Sequence, residues 1–315
     1  MYNKLKDRLD GCFYTIFTPF DSNYKIDFEG IKKYIDHLYS GGARKFYAMA
    51  YNSRYSQLTD SEIMDLNTFC IKYVKSIDID NIVIVGDPIH CSTYTSLEFA
   101  QKAKEDGADM ISLIVREKFF DDQQVLDHYS YIGEKSNFPI LVHEMPFLSG
   151  MNGKQMNWPL SLLNKLKTIP HIVAIKEDAK DFNMTKQILK LEPDIKIIIA
   201  GRKKTLLDYK KYGARAYLNG ISIIDARIGE LFWKAWNEND KDLINNIISK
   251  IEDPFFETVV KKYGWHRCNK AILEADGFFS RKERMPMPEL NDIEFKEIKS
   301  SLKKIKSNLN IFFND

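Results

Sequence analysis

The chain has 315 residues, with 46 lysines and arginines against 44 aspartates and glutamates, so its formal charge is only +2. That balance excludes the concentrated basic excess of a polyphosphate- or nucleic-acid-binding protein, and 44% hydrophobic with 13% aromatic content excludes disorder. No stretch of about 20 apolar residues exists, so no membrane span is expected.

The N-terminal residues Met1–Arg8 lead into no apolar signal core. Cys12, Cys70, Cys91 and Cys268 are scattered, with no CxxC. They read as reduced, mostly buried thiols of a cytoplasmic protein, and no ligand spacing supports a zinc site.

Short apolar runs alternate with amphipathic segments along the chain. The first run is Phe13–Phe17, followed by helical spacing at Ile31, Ile35 and Leu38 and a helix stop at Gly41-Gly42. Phe46–Met49 comes next, then a capping box in which Thr59 is the cap and Glu62 lies three residues on. Ile82–Val85 precedes a helix over Ser96–Glu105 that stops at Gly107, and Met110–Val115 precedes Leu126–Glu134. Ile140–His143 and Leu160–Leu166 follow, then Ile172–Lys176 and Met184–Leu191, then Ile195–Ala200 and Thr205–Tyr212, and finally Ala216–Leu218. The runs are near-continuously apolar, as strands covered on both faces must be. Strand and helix in strict alternation predict a (β/α)₈ TIM barrel over 1–225. An open doubly wound sheet is the alternative, but no GxGxxG or GxxxxGK[ST] loop signals a nucleotide. After about Asp225 only helical patterns remain, at Ile228–Trp236, Lys241–Val260 and Phe295–Leu309, which makes 226–315 a C-terminal helical extension.

Barrels of this type carry their chemistry at the C-terminal ends of the strands. That rule selects Thr18, Ala50–Arg54, Arg116–Lys118, His143-Glu144, Lys176-Glu177, Gly201 and Asn219–Ile221. Period-2 alternation puts Ile172, Ala174 and Lys176 on one face. A lysine facing a barrel interior is desolvated, which lowers its pKa and frees the amine to form a Schiff base. The alternative is a lysine that snorkels to solvent. His143 is a candidate general acid/base, or else a packing histidine. Arg54 and Asn52 are candidates for binding an acidic group, with Tyr51 in the same loop. Lys203-Lys204 reads as the solvated start of a helix.

At these positions the chain resembles the dihydrodipicolinate synthase / N-acetylneuraminate lyase family of class I aldolases. Gly11–Phe20 (GCFYTIFTPF) resembles the family's first strand with its TPF ending, and His37–Thr59 matches the following helix, strand and loop. Ile172–Glu177 (IVAIKE) resembles the strand of the Schiff-base lysine, usually IxGIKE, and Gly213–Ser222 resembles the strand that closes the barrel. The likeness runs from about Gly11 to Ala275. It implies that Lys176 condenses with a 2-oxo acid, typically pyruvate, and that the imine serves as electron sink. No metal or organic cofactor is then required. A homo-oligomer, tetramer or dimer, is also implied.

The departures are specific. The family's GTTGE loop reads Ala50-Tyr51-Asn52-Ser53-Arg54, and the tyrosine of its YNxP segment is replaced by His143 in His143-Glu144-Met145-Pro146. Leu148 stands where the synthases carry an arginine for the second substrate's carboxylate, and Val115-Arg116-Glu117-Lys118 lacks the tyrosine of the PYY stretch. These changes count against true dihydrodipicolinate synthase activity. The expectation is a lyase or aldolase for a 2-oxo acid or sugar-acid-like carbonyl substrate. Lys176 would be the nucleophile, His143 the acid/base, Tyr51 an assisting phenol, and Asn52, Arg54, Thr18, Gly201 and Leu218 the substrate contacts. The competing expectation is a degenerate site that binds a small carbonyl or carboxylate ligand without turnover.

Overall fold

The eight apolar runs become eight strands: β1 (Gly11–Thr15), β2 (Lys45–Tyr47), β3 (Ile82–Gly86), β4 (Met110–Leu113), β5 (Ile140–His143), β6 (Ile172–Glu177), β7 (Lys196–Ile199) and β8 (Ala216–Leu218). They are seen in a computed structural model that describes residues 2–50, 53, 57–89, 91–115, 120–144 and 157–313. The strands form a closed barrel in chain order. β8 returns to β1 in parallel, from Gly11 beside Ala216 to Phe13 beside Leu218. This is the (β/α)₈ barrel that the alternation predicts. β1, β3, β4, β5 and β6 are buried at every residue, because helices cover a sheet whose inner face is already packed.

The expected helix signals work locally. Asp60–Ile77 is opened by Thr59, whose hydroxyl accepts the Glu62 N–H at 3.3 Å while its own N–H donates to Glu62 Oε2 at 3.0 Å. Asp122–Ser136 starts with a second capping box, Asp121 with Gln124, which the sequence reading did not identify. The helix Phe28–Ser40 stops at Gly41, and Gly42 follows at φ +104°, which an L side chain takes only under strain.

Contacts group the chain into two compact units: Met1–Phe13 with Lys45–Leu218, and Tyr14–Arg44 with Asn219–Asp315. In the first unit, Phe13, Tyr47, Ile82, Ile84, Met110, Leu141, Val173, Ala174, Ile198 and Ala216 belong to one buried cluster. Val173 and Ala174 are consecutive, yet both belong to it. The cause is a shift of register between β5 and β6. Ile140 pairs with Ile172, but Leu141 pairs with Ala174, so β6 carries one extra residue. The plain alternation that grouped Ile172 with Ala174 is therefore broken at this bulge.

The second unit has its own core. Tyr34 is fully buried and meets Phe278 and Phe279 edge-on, with centroids 5.8 and 6.1 Å apart. The expected helix Lys241–Val260 is α-helical only over Lys241–Ile247 and then continues as π-helical turns at Ile248–Glu252 and Phe255–Val260. Pro254 lies between those turns and has no N–H to donate. A further helix, Trp265–Ala275, starts at Gly264 without a side-chain cap, so no start signal marked it in the sequence.

Candidate active site

Lys176 is the last inward-facing residue of β6, and only 1% of it is exposed. The bulge brings it into register with His143, the last residue of β5. Lys176 Nζ lies 2.6 Å from His143 Nε2. That is one hydrogen bond between two buried groups, each able to carry a proton. The lysine does not snorkel to solvent.

Two residues after Lys176, just past the end of β6, stands Asp178. Its Oδ2 accepts from Lys176 Nζ at 3.0 Å, and its Oδ1 is ion-paired with Lys180. Burial pushes the Lys176 amine below the ordinary lysine value; the Asp178 carboxylate opposes that shift and the Lys180 charge reinforces it. Burial alone would raise the Asp178 carboxyl, but the two ammonium groups overcome it and hold the group below the usual carboxylate range. Neither Asp178 nor Lys180 was picked out from the sequence. Their signal is the spacing of two and four residues from a strand-end lysine, which becomes specific only once the inward face is known.

A phenol lies on the other side of the imidazole. Tyr47, the last residue of β2, has its hydroxyl 2.6 Å from Ser112 Oγ on β4 and 3.5 Å from His143 Nδ1. All three are buried. The second distance is long for a hydrogen bond in a resting site, and such contacts tighten when substrate binds. Four strands thus contribute to one chain of polar groups: Lys176, His143, Tyr47 and Ser112.

The alternate residues point to the other face of the sheet. Glu177 Oε1 accepts from the Ala179 N–H at 2.7 Å and from Thr185 Oγ1 at 2.8 Å, and burial raises its pKa. Glu144 is fully buried and accepts the Trp158 N–H at 3.1 Å through Oε1, while Oε2 has no hydrogen-bond partner among the described residues. Burial pushes its carboxyl up to about 8, with Glu177 and Asp178 adding to the effect.

The expected residues are distributed unevenly. Lys176 and His143 are brought together. Gly201 follows β7 at φ +125°, and a Cβ there would lie 3.5 Å from Lys180 Nζ. Leu218 ends β8 and packs against the interior cluster. Thr18 is buried and falls in the second unit. Tyr51, Asn52, Arg54, Arg116–Lys118, Met145, Pro146 and Leu148 lie outside the described residues. One reading is corrected: Lys203 is not solvated but 2% exposed, with its ammonium 5.4 Å from the centre of the Tyr217 ring, whereas Lys204 is exposed. The aromatic face and the aliphatic packing hold the stem that the sequence alone placed in water.

The model of the dihydrodipicolinate synthetase family matches residues 8–305. The chain belongs to this family. Among curated relatives, a 4-hydroxy-tetrahydrodipicolinate synthase from Archaeoglobus fulgidus is 20% identical over 300 residues, covering 94% of this chain and 98% of the relative. The corresponding synthase from Lactobacillus acidophilus is 25% identical over 282 residues, 89% of this chain and 86% of the relative. Among solved structures, N-acetylneuraminate lyase from Fusobacterium nucleatum superposes with a TM-score of 0.82 at 18% identity, over 94% of this chain and 99% of the other. A prophage protein of the family from E. coli K12, solved in complex with pyruvate, gives 0.80 at 16% identity over 94% and 98%. At such identities the structural likeness shows the barrel and nothing finer.

Proposed function

We propose that this family member is a Schiff-base-forming lyase or aldolase that acts on a 2-oxo acid or related carbonyl compound through Lys176. The observation that carries the reading is the 2.6 Å contact between a desolvated amine and an imidazole inside the barrel. The neutral amine attacks the carbonyl carbon, and the carbonyl electrons move to oxygen. The alkoxide oxygen receives two protons, one that His143 relays from the new ammonium and one taken up from the medium, so that water leaves and an iminium remains. In the cleavage direction, the bond between the α and β carbons breaks, and its electrons move toward the iminium to leave an enamine. A base removes the hydroxyl proton of the carbon that becomes the new carbonyl. The imine is its own electron sink, so the reading calls for no metal or organic cofactor. It extends to a cytoplasmic homo-oligomer, tetramer or dimer, consistent with described helices none of which is long and apolar enough to cross a membrane.

The test is incubation with pyruvate and a panel of 2-oxo acids, followed by borohydride and mass spectrometry of the Lys176 peptide. A reduced adduct on Lys176 is expected. Absence of any adduct across the panel at millimolar ligand and several pH values sinks the reading. The second reading, a binder without turnover, is favoured by the 3.0 Å Asp178–Lys176 pair, because a charged lysine can hold a carboxylate but cannot attack a carbonyl. It predicts calorimetric binding of the acid with no trapped adduct.

A further inference from the structure

Asp178 is buried to 5% exposure and gives one carboxylate oxygen to each of two lysines. The two differ. Lys176 is buried, whereas the Lys180 side chain is 43% exposed. Lys180 also sits at φ +55°, in the left-handed region, which a non-glycine residue adopts only under strain. That backbone turn brings its ammonium back over Asp178. Gly201 lies on the neighbouring loop, close enough that a Cβ there would be in ordinary van der Waals contact with Lys180 Nζ, at 3.5 Å. Two features converge: a strained backbone and a shared carboxylate.

We propose that Lys180 is a positioning residue for the nucleophile: fixed on the same carboxylate, its ammonium weakens the hold of Asp178 on Lys176 and keeps that amine available to attack a carbonyl. The inference rests on the Schiff-base reading above and deepens it. Without Lys180, a whole carboxylate charge in a water-poor site would face Lys176 alone and favour its protonated, unreactive form. With Lys180, that charge is divided. The other groups facing Lys176 are His143, in direct contact from β5, with Tyr47 of β2 behind it. Glu177 of β6 acts through space, and Glu144 after β5 is coupled to Lys176 in the same way. None of these reaches solvent beside Asp178 as Lys180 does.

The test titrates the amine itself. In protein labelled at lysine Cε with carbon-13, the Lys176 resonance is the one lost in Lys176→Met. It is followed against pH in wild type, Lys180→Met, Lys180→Arg and Asp178→Asn. Lys180→Met should move the midpoint up by roughly one pH unit or more, and Asp178→Asn should move it down. Lys180→Arg should keep it near wild type. An unchanged or lowered midpoint in Lys180→Met overturns the inference, as does an arginine variant that behaves like the methionine one. The titration needs no substrate. A missing borohydride adduct with the expected shifts therefore sinks only the Schiff-base reading, and a normal adduct with no shift sinks only this inference.

Discussion

Lys176 Nζ and His143 Nε2 are 2.6 Å apart, on adjacent parallel strands, at paired positions of the barrel interior. Neither group reaches solvent. A proton moving between them crosses one hydrogen bond and no water.

Replacing His143 should therefore slow proton transfer without removing the nucleophile. His143→Phe is expected to leave a borohydride-trappable Lys176 but lower turnover about 10²- to 10⁴-fold. The acid limb of the pH–rate profile should change with it. A variant with wild-type turnover and an unaltered profile would show that the imidazole has no part in the chemistry.

Tyr47→Phe removes the hydroxyl that meets Ser112 at 2.6 Å and faces His143 Nδ1 at 3.5 Å. The loss of a buried hydrogen bond should lower unfolding stability by about 1–3 kcal/mol in a denaturant titration. Imine formation should slow as well, because the imidazole loses the group that orients its far nitrogen. If Tyr47→Phe changes stability alone, the phenol is a packing element.

Glu144 makes a second pH dependence, in stability. Its carboxyl titrates near 4.5 when unfolded and near 8 when folded. Below the lower value both states are protonated. Between the two, the unfolded chain has lost its proton while the folded chain keeps it, so stability falls as pH rises through that window and levels off above it. Glu144→Gln cannot ionise. It should be close to wild type at pH 5 and more stable than wild type at pH 8, by a few kcal/mol at most. Thermal melts across this range decide the point, and parallel curves for the two proteins would refute the assignment.

His128 works in the opposite direction. Burial lowers its imidazole from 6.5 to about 4, with Nδ1 2.9 Å from Thr93 Oγ1. The unfolded chain takes up a proton below about 6.5 and the folded chain resists it until about 4, so this contribution is present at neutral pH and lost as the solution is acidified. His128→Gln should flatten the decline in melting temperature between pH 6.5 and 4. A decline as steep as in wild type would place the acid sensitivity elsewhere.

The barrel was legible because its evidence is local. Ile-Val runs such as Ile82–Val85, caps such as Thr59 with Glu62, and stops such as Gly107 act within a few residues. Lys176 and His143 were legible for a related reason: both end apolar runs, and the barrel rule says where strand ends point. Tyr47, Asp178 and Lys180 were not, since their roles depend on which residues of other strands or loops they meet. Tyr47 carries no signal of its own within the run Phe46–Met49; its contacts with Ser112 and His143 single it out. Lys203 misled for the same physical reason: a long cationic stem is placed by its tertiary neighbours, here Tyr217, and not by its own chemistry.

The extra residue in β6 has a consequence for how this site can change over time. If the register set by Ile140 and Ile172 ran on unbroken, His143 would stand beside Ile175 and the amine would face a different partner. Residue identity at 143 and 176 is thus only half of the specification; the other half is the break in register that absorbs Val173 between Ile172 and Ala174. A deletion of Val173 takes out the extra residue and should leave a regular ladder in which Leu141 still stands beside Ala174 and His143 still stands beside Lys176. An extra residue inside a buried strand, ordinarily a lesion, is here accommodated by a break in register, and that break determines which group Lys176 meets.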